Sequence, residues 1–455
     1  MDIVLLDPIH CEVQPALAAI IKPLLSFTAV YYTQGFFKKE RHEYEKPVMF
    51  KSKKGTFLFA TGLLPKVVRY CIEKNVPIKV IGKEEKVPYG KVEMRTITLR
   101  EEQVRLVNSA LKKQRGTLIA PTGVGKTALG IAIISAFVKN EDFRALWLCH
   151  TKDLMYQSAG VCEKELGIVP GIVGDNSADL DKQITMATRQ SFVNYVKEYG
   201  HLYDMVLIDE THHLSSYDGQ YGILLTQIPA PIRIGLTATL PTQNKEAMLA
   251  IEGLLGPVID EVTMEEGQDK NLIANIKIRI IKIPFSSDIK RLRNYADVYK
   301  FGVTNRTDQH VAIVQKAKEH VDRGDSVLII VTKLDHGRQL ATQCYMNDLD
   351  AEFIQGADTA EDRERVNRAL NNKELKCVIA TTIWKEGLNI PELNVIINAA
   401  GGKSEIATIQ TIGRGLRRTS TKKDIVVYDC FDESHKYLIE HYGQRMAIYS
   451  EMGWI

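Results

Sequence analysis

The segment Ala120-Pro121-Thr122-Gly123-Val124-Gly125-Lys126-Thr127 follows an apolar run and opens a helical pattern. In that context its glycines permit a tight turn, and the backbone N–H groups, with the positive end of the next helix, can surround phosphate oxygens. Lys126 offers a point charge to the β and γ phosphates and Thr127 a hydroxyl to Mg²⁺. Pro121, Thr122, Gly123, Val124 and Gly125 form the wall of the loop. The expected ligands are ATP and Mg²⁺. Ala120 stands where the usual pattern begins with glycine. A Gly-Lys-Thr tripeptide alone is weak, because it recurs by chance; the strand before it and the helix after it carry the reading.

A second constellation lies downstream. Met205-Val206-Leu207-Ile208 runs into Asp209-Glu210-Thr211-His212, which places two carboxylates at the C-terminal tip of a buried parallel strand, where α/β sheets hold their ligands. Asp209 is suited to the metal, and Glu210 to orienting and deprotonating an attacking water. By itself, Asp-Glu at a strand end is more often a solvated turn; paired with the loop, it reads as chemistry. His212 and His213 find no third and fourth metal ligand at suggestive spacing, so hydrogen-bonding roles are expected of them. Upstream, Arg100 and Gln103 stand just before the first strand, where an amide could read an adenine edge and a guanidinium lie against the ring. Far downstream, Arg414 and Arg417 lie three residues apart on one helix face. A fixed guanidinium can neutralise charge building on a transferring phosphoryl group, although an arginine-rich helix face is usually a solvated one.

These residues must be held by a large chain. Its 455 residues suit two or three domains, and 45% hydrophobic with 25% charged residues is ordinary for a globular protein, which argues against disorder or a fibre. A net charge of +3 permits a polyanionic partner without requiring one. The seven cysteines show no C-x-x-C pair, so neither a zinc ribbon nor a secreted disulfide framework is indicated. The N-terminus lacks a basic leader, and no segment approaches the roughly 20 apolar residues of a membrane span. A cytoplasmic protein is expected.

From about Met94 onward, short β-branched runs alternate with helical patterns, the rhythm of βα units around parallel sheets. One set of strands is expected at Gly116–Ala120, Ala145–Cys149, Ile184–Thr188, Met205–Ile208 and Arg233–Leu236. A second is expected at Ile276–Ile283, Ser326–Val331, Cys377–Ala380, Val395–Asn398 and Ile425–Tyr428, with a terminal helix near His435–Met446. A polar hinge is placed at residues 265–270. Residues 1–92 read as a small α/β module: a strand at Ile3–Leu6, a helix at Ala16–Leu25, a basic-tipped hairpin around Lys51–Gly55, a helix near Lys66–Lys74 and a strand at Ile78–Ile81. The expected architecture is therefore α/β: an accessory domain over 1–92, then parallel-sheet lobes over 93–266 and 267–455, meeting across a cleft.

The order of these motifs resembles the superfamily-2 helicases from about Leu99 to Arg418, which implies two tandem RecA-like lobes. Ala120–Thr127 looks like motif I, Asp209-Glu210-Thr211-His212 like the D-E-x-H form of motif II, and Leu236-Thr237-Ala238-Thr239-Leu240 like motif III. The resemblance implies that His212, Thr237 and Thr239 couple nucleotide state to lobe contact. Lys385–Pro391 looks like motif V, which implies nucleotide contacts at Gly387 and Asn389, the latter in place of a common aspartate. Gln410-x-x-Gly413-Arg414-x-x-Arg417 looks like motif VI, implying that Gln410 places the water and that Arg414 and Arg417 reach the γ-phosphate.

By the same resemblance Thr151, Lys152, Thr188, Arg189, Thr332, Lys333, Thr381 and Thr382 touch nucleic acid. Residues of these types suit phosphates, so binding through the backbone, sensitive to salt and indifferent to sequence, is implied. The motif text and the short N-terminal module resemble the phage branched-DNA helicases of the UvsW type. That implies work on forks, displacement loops and four-way junctions in recombination and repair, beside replication or recombination proteins, in the host cytoplasm. An RNA helicase and the translocating subunit of a restriction system are the competing readings. Lys38, Lys39, Arg41, Lys51, Lys53 and Lys54, with Phe36, Phe37 and Tyr44, give the N-terminal module a basic and aromatic cluster suited to DNA, although Glu40, Glu43 and Glu45 dilute its charge.

Overall fold

A computed structural model describes residues 1–34, 39–121, 123–263, 266, 275–381, 393–402, 424–451 and 454–455. Among the sequence-derived candidates, Phe36, Phe37, Lys38, Thr122, Thr382, Gly387, Asn389, Gln410, Arg414 and Arg417 lie outside the described residues, as does the hinge apart from Glu266. The chain divides into two compact units, one of residues 1–120 and 125–262, the other of residues 263–455 with 121–124.

In the first unit the N-terminal strands are β1 (Asp2–Leu5), β2 (His10–Val13), β3 (Ser26–Gln34), β4 (Lys39–Pro47), β5 (Met49–Lys51), β6 (Phe57–Ala60) and β7 (Lys79–Ile81). Five of them form one sheet in the order β5-β6-β2-β1-β7. Helices α1 (Pro15–Ile21) and α2 (Leu64–Glu73) each carry proline in the first turn, where the missing N–H costs no bond. They bury Leu17, Ile21 and Val67 against Ile3, Cys11 and Phe59. The same core takes in Leu249 from the helix Lys245–Leu255 of the parallel-sheet lobe. Lys66 pairs with Glu252 of that helix at 2.5 Å. The accessory module and the first lobe are thus packed into one unit.

Strands β3 and β4 form a separate antiparallel ribbon of nine paired residues, which the sequence reading did not foresee. Tyr31 stacks on His42 across it, with ring centroids 5.0 Å apart, and Tyr31 and Tyr44 are about half exposed.

The first lobe holds β8 (Arg115–Ile119), β9 (Ala145–Cys149), β10 (Gly171–Gly174), β11 (Ser177–Ala178), β12 (Ile184–Thr188), β13 (Met205–Asp209), β14 (Ile232–Thr237) and β15 (Val258–Glu261), ordered β11-β10-β12-β9-β13-β14-β8-β15. Every pairing is parallel except β10 with β11. Strands β13 and β14 are buried along their whole length, as expected of a parallel sheet covered on both faces. Fully buried Arg233 on β14 donates to Leu254 O, Ile228 O and Leu225 O at 2.5, 2.6 and 2.7 Å, so its guanidinium takes up carbonyls at and beyond two helix ends.

The second unit holds β16 (Asn275–Lys282), β17 (Ser326–Val331), β18 (Glu352–Ile354), β19 (Cys377–Thr381), β20 (Leu393–Asn398) and β21 (Asp424–Phe431), a parallel sheet in the order β16-β21-β20-β17-β19-β18. The terminal helix runs Lys436–Glu451. No helix among the described residues is long and apolar enough to cross a membrane.

His336, in the helix Leu334–Met346, is fully buried with neither ring nitrogen hydrogen-bonded among the described residues, and it stacks on His310 at 5.0 Å. Burial, and then His310, push its pKa down to about 3. An unfolded histidine titrates near ~6.5, so the unfolded chain binds the extra proton first. Stability contributed by this neutral ring is present above ~6.5 and is lost as pH falls towards 3. Denaturant unfolding should show the second unit weakened by about 2 kcal/mol between pH 7 and 5 from this group. His336→Leu should flatten that slope; an unchanged slope in the variant would refute the assignment.

Candidate nucleotide site

The candidate residues of the first lobe gather at the C-terminal edge of its sheet. Strand β8 leads into the loop, where Gly123 and Gly125 have φ of +99° and +91°, and α4 (Lys126–Ser135) follows. At Gly125 the left-handed backbone disfavours any side chain, and an added Cβ would lie 2.9 Å from Gln103 Nε2. Gln103 is thereby placed beside the loop. Its Oε1 accepts from the backbone N–H of Arg100 at 2.9 Å, at the N-terminus of α3 (Glu101–Lys113).

Lys126 Nζ lies 3.2 Å from Glu210 Oε1. Glu210 follows the last residue of β13 and holds φ +55°, ψ +58°, a conformation costly for a side chain with a Cβ. Its backbone N–H donates to Asp209 Oδ1 at 3.0 Å. Asp209 is buried, and desolvation followed by the charge of Glu210 raises its carboxyl above the ordinary range, against the opposing pull of Lys126. A buried carboxylate held beside another has a deficit of positive charge, which fits a divalent cation taken up with phosphate oxygens. Half-buried Thr127 is available to share it. Among the described residues there is no cluster of three or more His, Cys, Asp or Glu that could hold a metal on its own, so phosphate and water would complete the shell.

Motifs I and II are each bonded to motif III. Ala120 N–H donates to Thr237 O at 2.8 Å and Thr211 Oγ1 to Leu236 O at 3.1 Å. A Cβ on Gly235 would lie 2.6 Å from Thr211 Oγ1, so only glycine fits where the motifs cross. Thr237 Oγ1 donates to Thr239 O at 2.7 Å, which uses its one proton; its 3.2 Å contact with His212 Nδ1 therefore takes the hydrogen from the imidazole. His212, Thr237 and Thr239, expected to act in coupling, form one connected group. The sequence reading missed His150, whose ring stacks on His213 at 3.6 Å and joins the ends of β9 and β13. Nothing in residue spacing foretells that contact.

The candidate nucleic-acid residues are placed less uniformly. Thr332 and Lys333 are exposed just beyond β17. Thr151 caps α5 (Lys152–Leu166) by accepting from Leu154 N–H, and Lys152 is paired with Asp175. Thr188 is buried, its hydroxyl accepting from Ser191 N–H and donating to Ser191 Oγ. Arg189 lies over the Tyr221 ring at 5.3 Å, and Thr381 is buried at the end of β19.

With this geometry in place, comparison with known proteins gives two family matches, "Type III restriction enzyme, res subunit" over residues 96–242 and "Helicase conserved C-terminal domain" over 309–419. The "DNA 3'-5' translocase XPB2" of Sulfurisphaera tokodaii is 26% identical over 389 residues, covering 77% of this chain and 85% of that protein. The "ATP-dependent DNA helicase uvsW" of phage T4 is 21% identical over 343 residues, covering 72% and 67%. In structure, a fragment of a putative HsdR subunit of a type I restriction enzyme from Vibrio vulnificus aligns with TM-score 0.59 over 92% of this chain and 93% of that one, at 16% identity, which speaks for the fold. Two tandem RecA-like sheets matching helicase families in this order define the class: the chain is an ATP-dependent nucleic-acid helicase. More narrowly, it belongs to superfamily 2, with a D-E-x-H box, and resembles the phage UvsW-type helicases.

Proposed function

We propose that the protein is a DNA motor that remodels branched DNA, migrating forks, displacement loops and four-way junctions in recombination and repair. The observation that carries the motor reading is the joined set Lys126, Glu210, Asp209, His212 and Thr237, in which a phosphate loop, a base and a coupling group share one edge of a sheet. DNA as the track is supported by the names of the relatives, and branched DNA by the likeness to UvsW.

In this mechanism Lys126 and the loop N–H groups hold the outer phosphates, and Arg100 and Gln103 face the base. Glu210 orients the attacking water and takes its proton. Thr127 and Asp209 would hold Mg²⁺, which would offset the negative charge of the phosphates. By the family resemblance Gln410, Arg414 and Arg417 are assigned to hydrolysis, and Gly387 and Asn389 to nucleotide binding. Thr151, Lys152, Arg189, Thr332, Lys333 and Thr382 contact backbone phosphates. Buried Thr188 supports the contacts of the first unit and buried Thr381 those of the second. The work is assigned to the cytoplasm, or to the host cytoplasm for a phage-encoded chain.

The accessory module, residues 1–92, is assigned to DNA engagement through the β3–β4 ribbon. One face carries Tyr31, His42 and Tyr44, while Glu43 and Glu45 lie on the other, where Arg41 pairs with Glu43 at 2.5 Å. Exposed aromatic rings suit unpaired bases, at about 1–3 kcal/mol per stacked base, although Glu40 shares their face of the ribbon by register. Tyr31→Ala with Tyr44→Ala should weaken binding to a four-way junction about tenfold or more while ATP turnover without DNA stays unchanged. Unaltered junction affinity in a titration would remove the ribbon from the DNA path.

The deciding experiment measures Mg²⁺-dependent ATP hydrolysis with no nucleic acid, single-stranded RNA, linear duplex DNA and a four-way DNA junction. Strongest stimulation by the junction supports the proposal. Preference for RNA, whose 2′-hydroxyls distinguish it, would move the protein to the RNA helicases. Stimulation by linear duplex alone would favour the restriction-type translocase suggested by the first family match.

A further inference from the structure

Tyr299 ends the helix Tyr295–Tyr299 of the second unit, and its hydroxyl stands between two acceptors. It donates to Ala400 O at 2.6 Å and shares a second hydrogen bond with Thr332 Oγ1. A phenol carries one proton. While that proton lies on Ala400 O, the bond to Thr332 has to use the threonine's own proton. Thr332 is exposed at the tip of β17, and Ala400 lies just past β20, on the chain that enters the segment bearing Gln410, Arg414 and Arg417.

The backbone around Ala400 is fixed on both sides. Ala399 N–H donates to Ile330 O at 3.0 Å. Gly401 O and Gly402 O each accept from Arg445 Nη1 at 3.1 Å, and Arg445 is itself held by buried Asp429. The Ala400 carbonyl is thus tied by a hydroxyl that has a second acceptor within reach, so it is a tie on this stretch that can be released.

We propose that the Tyr299 hydroxyl couples phosphate contact at Thr332 to the chain entering the arginine segment, by choosing between Ala400 O and Thr332 Oγ1 as its acceptor. When a backbone phosphate takes the Thr332 proton in a hydrogen bond, Thr332 Oγ1 is left as an acceptor. The Tyr299 proton then turns to it, giving a chain from phenol to threonine to phosphate in which each bond polarises the next. Ala400 O is released. Each hydroxyl keeps its own proton, and no covalent bond changes. Tyr299 is thus a positioning residue, and the inference rests on the proposed roles of Thr332 and of the arginines.

The test uses the full chain with Tyr299→Phe, which keeps the ring and removes only the hydroxyl. The readout is the ratio of DNA-stimulated to basal ATP turnover, together with KM for ATP and the melting temperature. Stimulation should fall about fivefold or more, the low end of usual coupling energies, with basal turnover, KM and melting nearly unchanged. Thr332→Val should lose stimulation too, and the double variant should be no worse than Thr332→Val alone, because both changes break one chain. Tyr299→Phe with wild-type stimulation, or losses that simply multiply, would overturn the proposal. A wild-type protein that no nucleic acid stimulates would instead sink the motor reading, and this inference with it.

Discussion

Glu210→Gln should lower DNA-stimulated ATP turnover by about a hundredfold or more while ATP still binds. The substitution keeps the size of the side chain and removes its charge and basicity. Lys126 Nζ, now 3.2 Å from Glu210 Oε1, would face an amide oxygen instead of a carboxylate. With the second carboxylate gone, one of the two influences raising the Asp209 carboxyl disappears, so metal and phosphate binding should survive. Steady-state hydrolysis beside equilibrium binding of a fluorescent ATP analogue separates the two effects. Turnover within fivefold of the wild type would remove Glu210 from the role of base; loss of binding as well as turnover would assign it to holding the nucleotide.

The largest expected effect on stability lies in the second unit. Asp429 is fully buried and accepts from Arg445 Nη2 at 2.7 Å and Nε at 2.9 Å, from Tyr449 Oη at 2.7 Å and from Asn398 Nδ2 at 3.2 Å. Arg445→Met would leave that carboxylate with two neutral donors and free the carbonyls of Gly401 and Gly402. Breaking one side of a buried pair costs about 3–5 kcal/mol, and the unfolding midpoint of the second unit in urea should fall accordingly. Arg445→Met with Asp429→Asn should recover part of the loss, since the stranded charge is removed with its partner. A single variant within about 1 kcal/mol of the wild type would show that water reaches Asp429 and carries its charge.

The parallel sheets were readable because they are buried on both faces. Met205–Ile208 is a continuous apolar run ending in Asp209, and Ile232–Thr237 is interrupted by the charge of Arg233 alone before it ends in Thr237, so pattern and environment agree apart from that arginine. The phosphate loop was readable because the glycine spacing is itself the geometry. The β3–β4 ribbon was not: Lys39-Glu40-Arg41-His42-Glu43-Tyr44-Glu45-Lys46 has no apolar period, and its order comes from pairing with β3. Short edge strands such as β11 and β18 were missed for a related reason, since a few residues hold too little pattern. Tyr299, Arg445 and His150 drew no notice because each acts through a partner far along the chain, at Ala400, Asp429 and His213. The packing of residues 1–92 onto the helix Lys245–Leu255 was equally hidden, as Leu249 and Glu252 look like ordinary helix residues until the fold brings them to the module.

With Glu210 as the proposed base, its left-handed backbone would set folding and turnover against each other at a single codon. Glycine or asparagine would relax that conformation, by the order of 1–3 kcal/mol typical of such strain, while removing the carboxylate. Selection for thermal robustness alone would therefore drift towards an inert protein there. Only a lineage that keeps needing ATP turnover has reason to retain the less comfortable residue.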